Sequence, residues 1–109
     1  MSRQQDIEKL ATKLMKWHKG RYGRFWRDSK GTVVAHDTWN PWTSWHDAGM
    51  VCEASGAASM ILAGVERKSD KAKTYVCVLL YEDTHTVHAD SPEGYPAATA
   101  EAALKVCDG

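Results

Sequence analysis

The sequence has little of what builds extracellular, metal-stapled or membrane-spanning proteins. Its three cysteines, Cys52, Cys77 and Cys107, are an odd number with no C-x-x-C pair, which opposes a disulfide framework and a zinc ribbon and suits reduced, mostly buried thiols. The longest uncharged apolar stretch, Ala54 to Val65, is broken by Ser55, Gly56, Ser59 and Gly64 and falls well short of the roughly 20 residues that a membrane span needs. Met1 to Asp6 lead straight into an amphipathic segment without an apolar signal region, so the expected location is the cytosol. There is no internal repeat and no low-complexity tract. No G-x-x-x-x-G-K-[ST] loop, G-x-G-x-x-G turn or G-x-S-x-G elbow occurs, which removes the common phosphate-cradling and serine-nucleophile signatures.

What is present is ordinary for one folded domain. With 109 residues, 43% hydrophobic and 26% charged, the chain is expected to bury a single core over residues 1–109. The net charge of zero conceals a dipole. Up to Gly31 there are nine basic residues against three acidic ones, a net +6, and the remainder carries five against eleven, a net −6. Such a sequence either folds back to neutralise itself or leaves a basic face for an anionic partner.

Ile7, Leu10, Leu14 and Trp17 recur at helical spacing, predicting a first helix opened by a Ser2-x-x-Gln5 capping box and closed by Gly20. Tyr22 to Arg27 and Thr32 to Thr38 flank the turn-rich Asp28-Ser29-Lys30-Gly31, so a hairpin is expected. Asn40-Pro41 breaks the chain, and Thr43 or Ser44 caps a second helix with Trp45, Ala48, Val51 and Cys52 on its buried side. Ser59 to Glu66 reads as a strand buried on both faces or as a continuation of that helix, with the glycines at 49, 56 and 64 favouring the strand. Thr74 to Tyr81 has the two-sided apolar pattern of a covered central strand, and Thr84 to Ala89 returns as an edge strand. Pro96 opens a last helix with a stripe of Ala97, Ala100, Ala103, Leu104 and Cys107, since proline belongs in a first turn. This order predicts an α+β class with a mostly antiparallel sheet.

Three stretches carry a family likeness: Leu10-Ala11-x-x-Leu14-Met15-x-Trp17, then Trp39-Asn40-Pro41 leading to Asp47-Ala48, and Pro96-Ala97-Ala98-x-Ala100-x-Ala102-Ala103-Leu104. Together, over about Asp6 to Cys107, they resemble the small bacteriophage proteins of the phage ABA sandwich domain family. The resemblance implies a three-layer α/β/α sandwich with a sheet of four to five strands and three helices, in a phage or prophage product. It brings no active site.

Two stretches could bind. In Trp17 to Arg27 cations alternate with aromatics, and Arg21, Tyr22, Arg24 and Arg27 are the candidates, because cations neutralise phosphate while rings stack on bases. Otherwise Trp17 and Trp26 are core and the arginines guard an edge strand. In Trp39-Asn40-Pro41-Trp42-Thr43-Ser44-Trp45 the candidates are Trp39, Trp42, Thr43 and Ser44, which would combine a helix N-terminus for an anion with a stacking ring. Otherwise Trp39 and Trp45 fill the core and a hydroxyl caps.

His85 and His88 point to opposite faces of a strand, and His36-Asp37 and His46-Asp47 diverge as adjacent pairs, so no metal site or cofactor is expected. Cys52 with a distant histidine would make a nucleophile, against the plainer reading of a buried thiol. The expected function is that of a non-catalytic phage accessory protein in the host cytosol, binding a host protein or sequestering a nucleotide and so inhibiting host defence. The neutral net charge speaks against an acidic mimic of duplex DNA. Nucleic-acid binding through the basic first third is the alternative, and a small hydrolase a second one. Membrane binding is not expected, and a homodimer is left open.

Overall fold

A computed structural model describes residues 3–19, 25–36, 38–66, 68–69 and 71–108. Helix α1 (Arg3–Lys9) widens at once into a π-helical segment, Leu10–Leu14, in which the Met15 N–H reaches back five residues to the Leu10 carbonyl at 3.0 Å. The first helix therefore stops at Leu14, before Trp17 and six residues ahead of Gly20, where its end was expected. Lys16 takes a left-handed backbone (φ 62), and the turn delivers Trp17 into the core from a loop instead of from a helical face. Ser2 and Gly20, the expected caps, lie outside the described residues.

A small antiparallel sheet follows, with β1 (His18–Lys19), β2 (Phe25–Arg27) and β3 (Val33–His36) in that order. The hairpin between β2 and β3 is the one expected. Asp28 Oδ1 accepts the N–H groups of Lys30 (2.9 Å) and Thr32 (3.0 Å), and Gly31 supplies the left-handed residue at φ 83 that lets the loop close. Helix α2 (Trp45–Ala54) starts at Ser44, whose side chain accepts the Asp47 N–H. A second antiparallel sheet comprises β4 (Ser59–Glu66), β5 (Lys73–Leu80) and β6 (Thr86–Ser91), paired without interruption along eight positions of β4 and β5.

Helix α3 (Tyr95–Asp108) is the axis of the fold. Ala97, Ala98, Thr99, Ala100, Ala102 and Ala103 are all fully buried, because both sides of the helix are covered. Ala97, Ala100 and Ala103 meet Leu10, Trp17, Trp26, Trp39, Trp42 and Val51. Ala98 and Ala102 meet Cys77, Leu79 and Ala89 of the second sheet. Small side chains are what allow two layers to approach one helix.

The α+β class holds, but the strands are divided. Four or five strands in one sheet were expected, and the six described strands form two sheets of three. The first hairpin does not join the second sheet because its strands are short, its register shifts between Trp26 and Arg27, and Trp26 is sunk among the helices. The second sheet is also barer than expected. Met60, Leu62, Tyr75, Cys77, Leu79, Val87 and Ala89 belong to its packed inner face, whereas Ile61 and Val65 are 52% and 53% exposed. Val76, Val78 and Leu80 are only half-buried. β4 is an exposed edge strand and not one buried on both faces, since α2 and α3 pack on the inner side.

Candidate binding surface around Trp45

The segment Trp39 to Trp45 is fixed by its own polar groups. Asn40 Oδ1 accepts the Trp42 N–H at 2.9 Å, and Asp47 Oδ2 accepts the Asn40 N–H at 2.9 Å. This clamp turns Trp39 and Trp42 inward, leaving them 4% and 3% exposed. Trp39 meets Trp17 edge to face, with centroids 5.1 Å apart. Trp42 donates its Nε1–H to Glu101 Oε1 at 2.9 Å and lies under the Arg3 guanidinium, 4.6 Å from the ring centroid. Arg3 in turn pairs with Glu93 at 3.3 Å. Neither indole offers a face for stacking.

The helix start is likewise occupied. Ser44 Oγ takes the Asp47 N–H, Thr43 is exposed, and the Asp47 carboxylate sits in the first turn of α2. An acidic side chain there already complements the helix dipole and opposes an incoming anion. The expected pocket for a nucleotide phosphate is thus filled from within.

The exposed indole is Trp45, at 53%, which the sequence reading placed in the core. The reason is angular: at 3.6 residues per turn Trp45 falls about 90° from the midline between Ala48 and Val51, the two buried positions of α2. It lies beside Tyr95, the first residue of α3, with centroids 6.0 Å apart and planes inclined by 33°. Tyr95 meets Tyr75 of β5 edge to face at 4.8 Å, and Lys73 Nζ stands 5.3 Å over the Tyr75 ring. Gly64 of β4 makes room for this arrangement. A Cβ there would come within 3.1 Å of both Lys73 Cε and Tyr95 Oη, tighter than ordinary contact. Three rings and one cation, from α2, α3 and β5, thus converge at one end of the second sheet. Sequence reasoning missed Lys73, Tyr75 and Tyr95 because they are distant in the chain. Only the helical angle of Trp45 was available as a signal.

The basic stretch is split by the fold. Trp17 and Trp26 are buried, as the plainer reading has it, and Lys19 covers Trp26, its Nζ 5.0 Å from the ring centroid. Register places His18 opposite Arg27 and Phe25 opposite His36. Phe25 packs edge to face on His36 at 5.1 Å, and Arg27 Nη1 donates to the Gly31 carbonyl at 2.8 Å. Arg21, Tyr22 and Arg24 lie outside the described residues.

A cleft of about 230 Å³ between β3 and α2 brings His36 and His46 to one place, beside Trp39, Asp47 and Met50. It is smaller than the roughly 300–1,000 Å³ of ordinary small-molecule pockets. Among the described residues no group of three or more His, Cys, Asp or Glu side chains is arranged to hold a metal ion. The Cys52 thiol contacts Met60 Sδ at 3.6 Å. Burial, assisted by Glu53, pushes the Cys52 thiol up, and burial also raises Cys77. Both shifts disfavour the thiolate that nucleophilic attack requires.

The fold and surface define an α+β protein that carries, among the described residues, an aromatic patch around the exposed Trp45. No family model, curated protein or solved structure matches the chain. No helix among the described residues is long and apolar enough to cross a membrane.

Proposed function

We propose that the protein is a non-catalytic binding protein of the phage accessory kind that the sandwich-domain resemblance implies. It acts on a host protein in the cytosol and grips it with the patch of Trp45, Tyr95 and Tyr75. The observation that carries this reading is Trp45 itself, a large ring half open to solvent and ordered by contact with Tyr95. Tryptophan and tyrosine dominate the energetics of protein interfaces, since rigid rings bury much area at small entropic cost. Rings held by one another lose little freedom on binding. The nucleotide-sequestering form of the proposal is less well supported, because Asp47 and the Ser44 cap occupy the helix end that a phosphate would use.

Nucleic-acid binding is the second reading, favoured by the outer face of the first sheet. His18, Phe25, Arg27 and His36 share that face by register, and Phe25 is exposed.

The test is affinity capture from bacterial lysate followed by native mass spectrometry, repeated with Trp45→Ala and Phe25→Ala. A protein partner held by the wild type should bind Trp45→Ala at least about 30-fold more weakly, the loss expected of an interface anchor worth about 2 kcal/mol. Phe25→Ala should keep it. Retention of the partner by Trp45→Ala would exclude the patch. Capture of single strands that weakens steeply with salt and depends on Phe25 would instead establish the second reading.

A further inference from the structure

The strand edges of this protein are not treated alike. Among the described residues the edges of the first sheet are short, His18–Lys19 in β1 and Val33–His36 in β3. In the second sheet, β6 carries His88 and Asp90 exposed on its outer face, is followed by Pro92, and has the His88 carbonyl taken by Lys105 Nζ at 2.8 Å. Short length, charge, proline and covering side chains are the usual means by which an edge avoids pairing with another chain. Among the described residues β4 has one of them alone, the charge of its last residue, Glu66. It runs eight residues without a bulge, it has no charged residue from Ser59 to Val65, and its sole described strand neighbour is β5. Every second residue of such a strand turns its N–H and C=O away from the sheet.

We propose that β4 is a homodimer interface, at which a second copy of this chain pairs antiparallel with it about a two-fold axis through Ala63. The occupant follows from the sequence of the strand. A two-fold axis normal to the sheet sets residue i against 126 − i of the other copy, so that Ile61 lies opposite the partner copy's Val65 and Val65 opposite its Ile61. These are the two most exposed large aliphatic side chains of the strand, and directly opposed β-branched pairs on one face stabilise antiparallel strands. On the inner face Leu62 meets Gly64, a large residue against a small one, and Glu66 meets Met60. No like charges are opposed anywhere along the strand. A single odd-register slip would put Ile61 on the face opposite to its counterpart, and a slip of two residues would set Ile61 against Ala63 in place of Val65, so the Ile61–Val65 pair selects the register. The product is a continuous six-stranded sheet. Its outer face joins Ile61, Val65, Val76 and Val78 of both copies, and its inner face presents the two Tyr75 rings about three strand spacings apart, each spacing about 4.8 Å.

The proposal does not depend on the reading of Trp45. Its test is light scattering of the full chain across a concentration series, together with two double variants, Ile61→Lys/Val65→Lys and Ile61→Glu/Val65→Glu. These residues are exposed in the free chain, so both variants should keep the wild-type circular dichroism. The wild type should show twice the 12.1 kDa mass of one chain at high micromolar concentration, each double variant should show the single mass, and mixing the two variants should restore the doubled mass as a heterodimer. A wild type that remains at the single mass, or double variants that dimerise by themselves as well as the wild type does, would overturn it.

Discussion

The two sides of α3 solve the same packing problem with opposite materials. Toward Ala97, Ala100 and Ala103 the chain supplies four of its five tryptophans, set against one another, and against Leu10 and Val51. Toward Ala98 and Ala102 it supplies Cys77, Leu79 and Ala89, with Met60, Leu62 and Val106 at the margin. Large aromatic rings each bury about 150–250 Å² and tolerate few alternative arrangements. Methionine and cysteine are soft fillers that adapt. The ring side should therefore be the stiff and costly half of the core, and the sheet side the forgiving one.

The comparison breaks most visibly at Trp42. Trp42→Ala removes a buried ring, leaves Glu101 without its indole donor, and strips the surface on which Arg3 rests. The expected cost is about 3–5 kcal/mol, a large part of the roughly 5–15 kcal/mol that holds a domain folded. Urea unfolding should show it as a sharply lowered midpoint. Trp45→Ala, three residues along the chain but exposed, should shift stability by no more than about 0.5 kcal/mol. Similar losses for both would mean that the clamp at Asn40 and Asp47 does not divide core from surface as described.

A smaller and sharper test enlarges α3 on each side in turn. Ala100→Leu drives three extra carbons toward the tryptophans, and Ala102→Leu drives them toward Cys77 and Leu79. Overpacking costs about 1–3 kcal/mol. The upper end is expected at Ala100, where the rings cannot yield, and the lower end at Ala102, where Met60 and the half-exposed sheet can. Equal costs would erase the asymmetry.

How far this organisation could be read in advance follows the same division. The sheet side was legible because strands announce themselves locally: the run of β-branched and aliphatic residues placed β5 within a residue of its observed Lys73–Leu80, and the glycines at 49, 56 and 64 favoured a strand over a continued helix at Ser59–Glu66, where β4 lies. Helix α2 was legible through the Ser44 cap, and α3 through Pro96. The ring side was legible only in part: the reading of Trp17, Trp26 and Trp39 as core agrees with their burial, but it stood beside a binding alternative and exchanged Trp45 for Trp42, because a tryptophan's destination is decided by tertiary packing. Trp17 sits at a helical spacing that the π-helical segment overrides, and Trp42 is drawn inward by Glu101, 59 positions along the chain. The aromatic patch escaped for the same reason, since Trp45, Tyr75 and Tyr95 become neighbours only after α2 and α3 have packed. The sheets were separated by an equally non-local event, the burial of Trp26 among helices.

The smallest effect belongs to the sheet side and is seen only in acid. In the turn from β5 to β6 the His85 ring Nδ1–H donates to Asp83 Oδ1, and the His85 N–H donates to the same oxygen at 3.3 Å. The imidazole stacks on Tyr81, planes 5° apart and centroids at 4.3 Å, in a turn where Thr84 is left-handed at φ 73. The hydrogen bond from the His85 ring, followed by that from its backbone, holds the Asp83 carboxyl below the usual carboxylate range. A carboxyl whose folded value is depressed binds fewer protons than it does in the unfolded chain. Its stabilisation is thus complete above the ordinary aspartate value, about 3.9, and disappears as pH falls from there through the folded value. Both side chains are exposed, so solvent screening keeps the contribution modest. Urea midpoints followed from neutral pH into the acid range should therefore fall less steeply for Asp83→Asn than for the wild type. Trp42→Ala, on the far side of α3, should lower every midpoint while leaving the acid slope parallel to that of the wild type. Parallel slopes for Asp83→Asn and wild type would show that this turn contributes nothing to the acid sensitivity of the sheet.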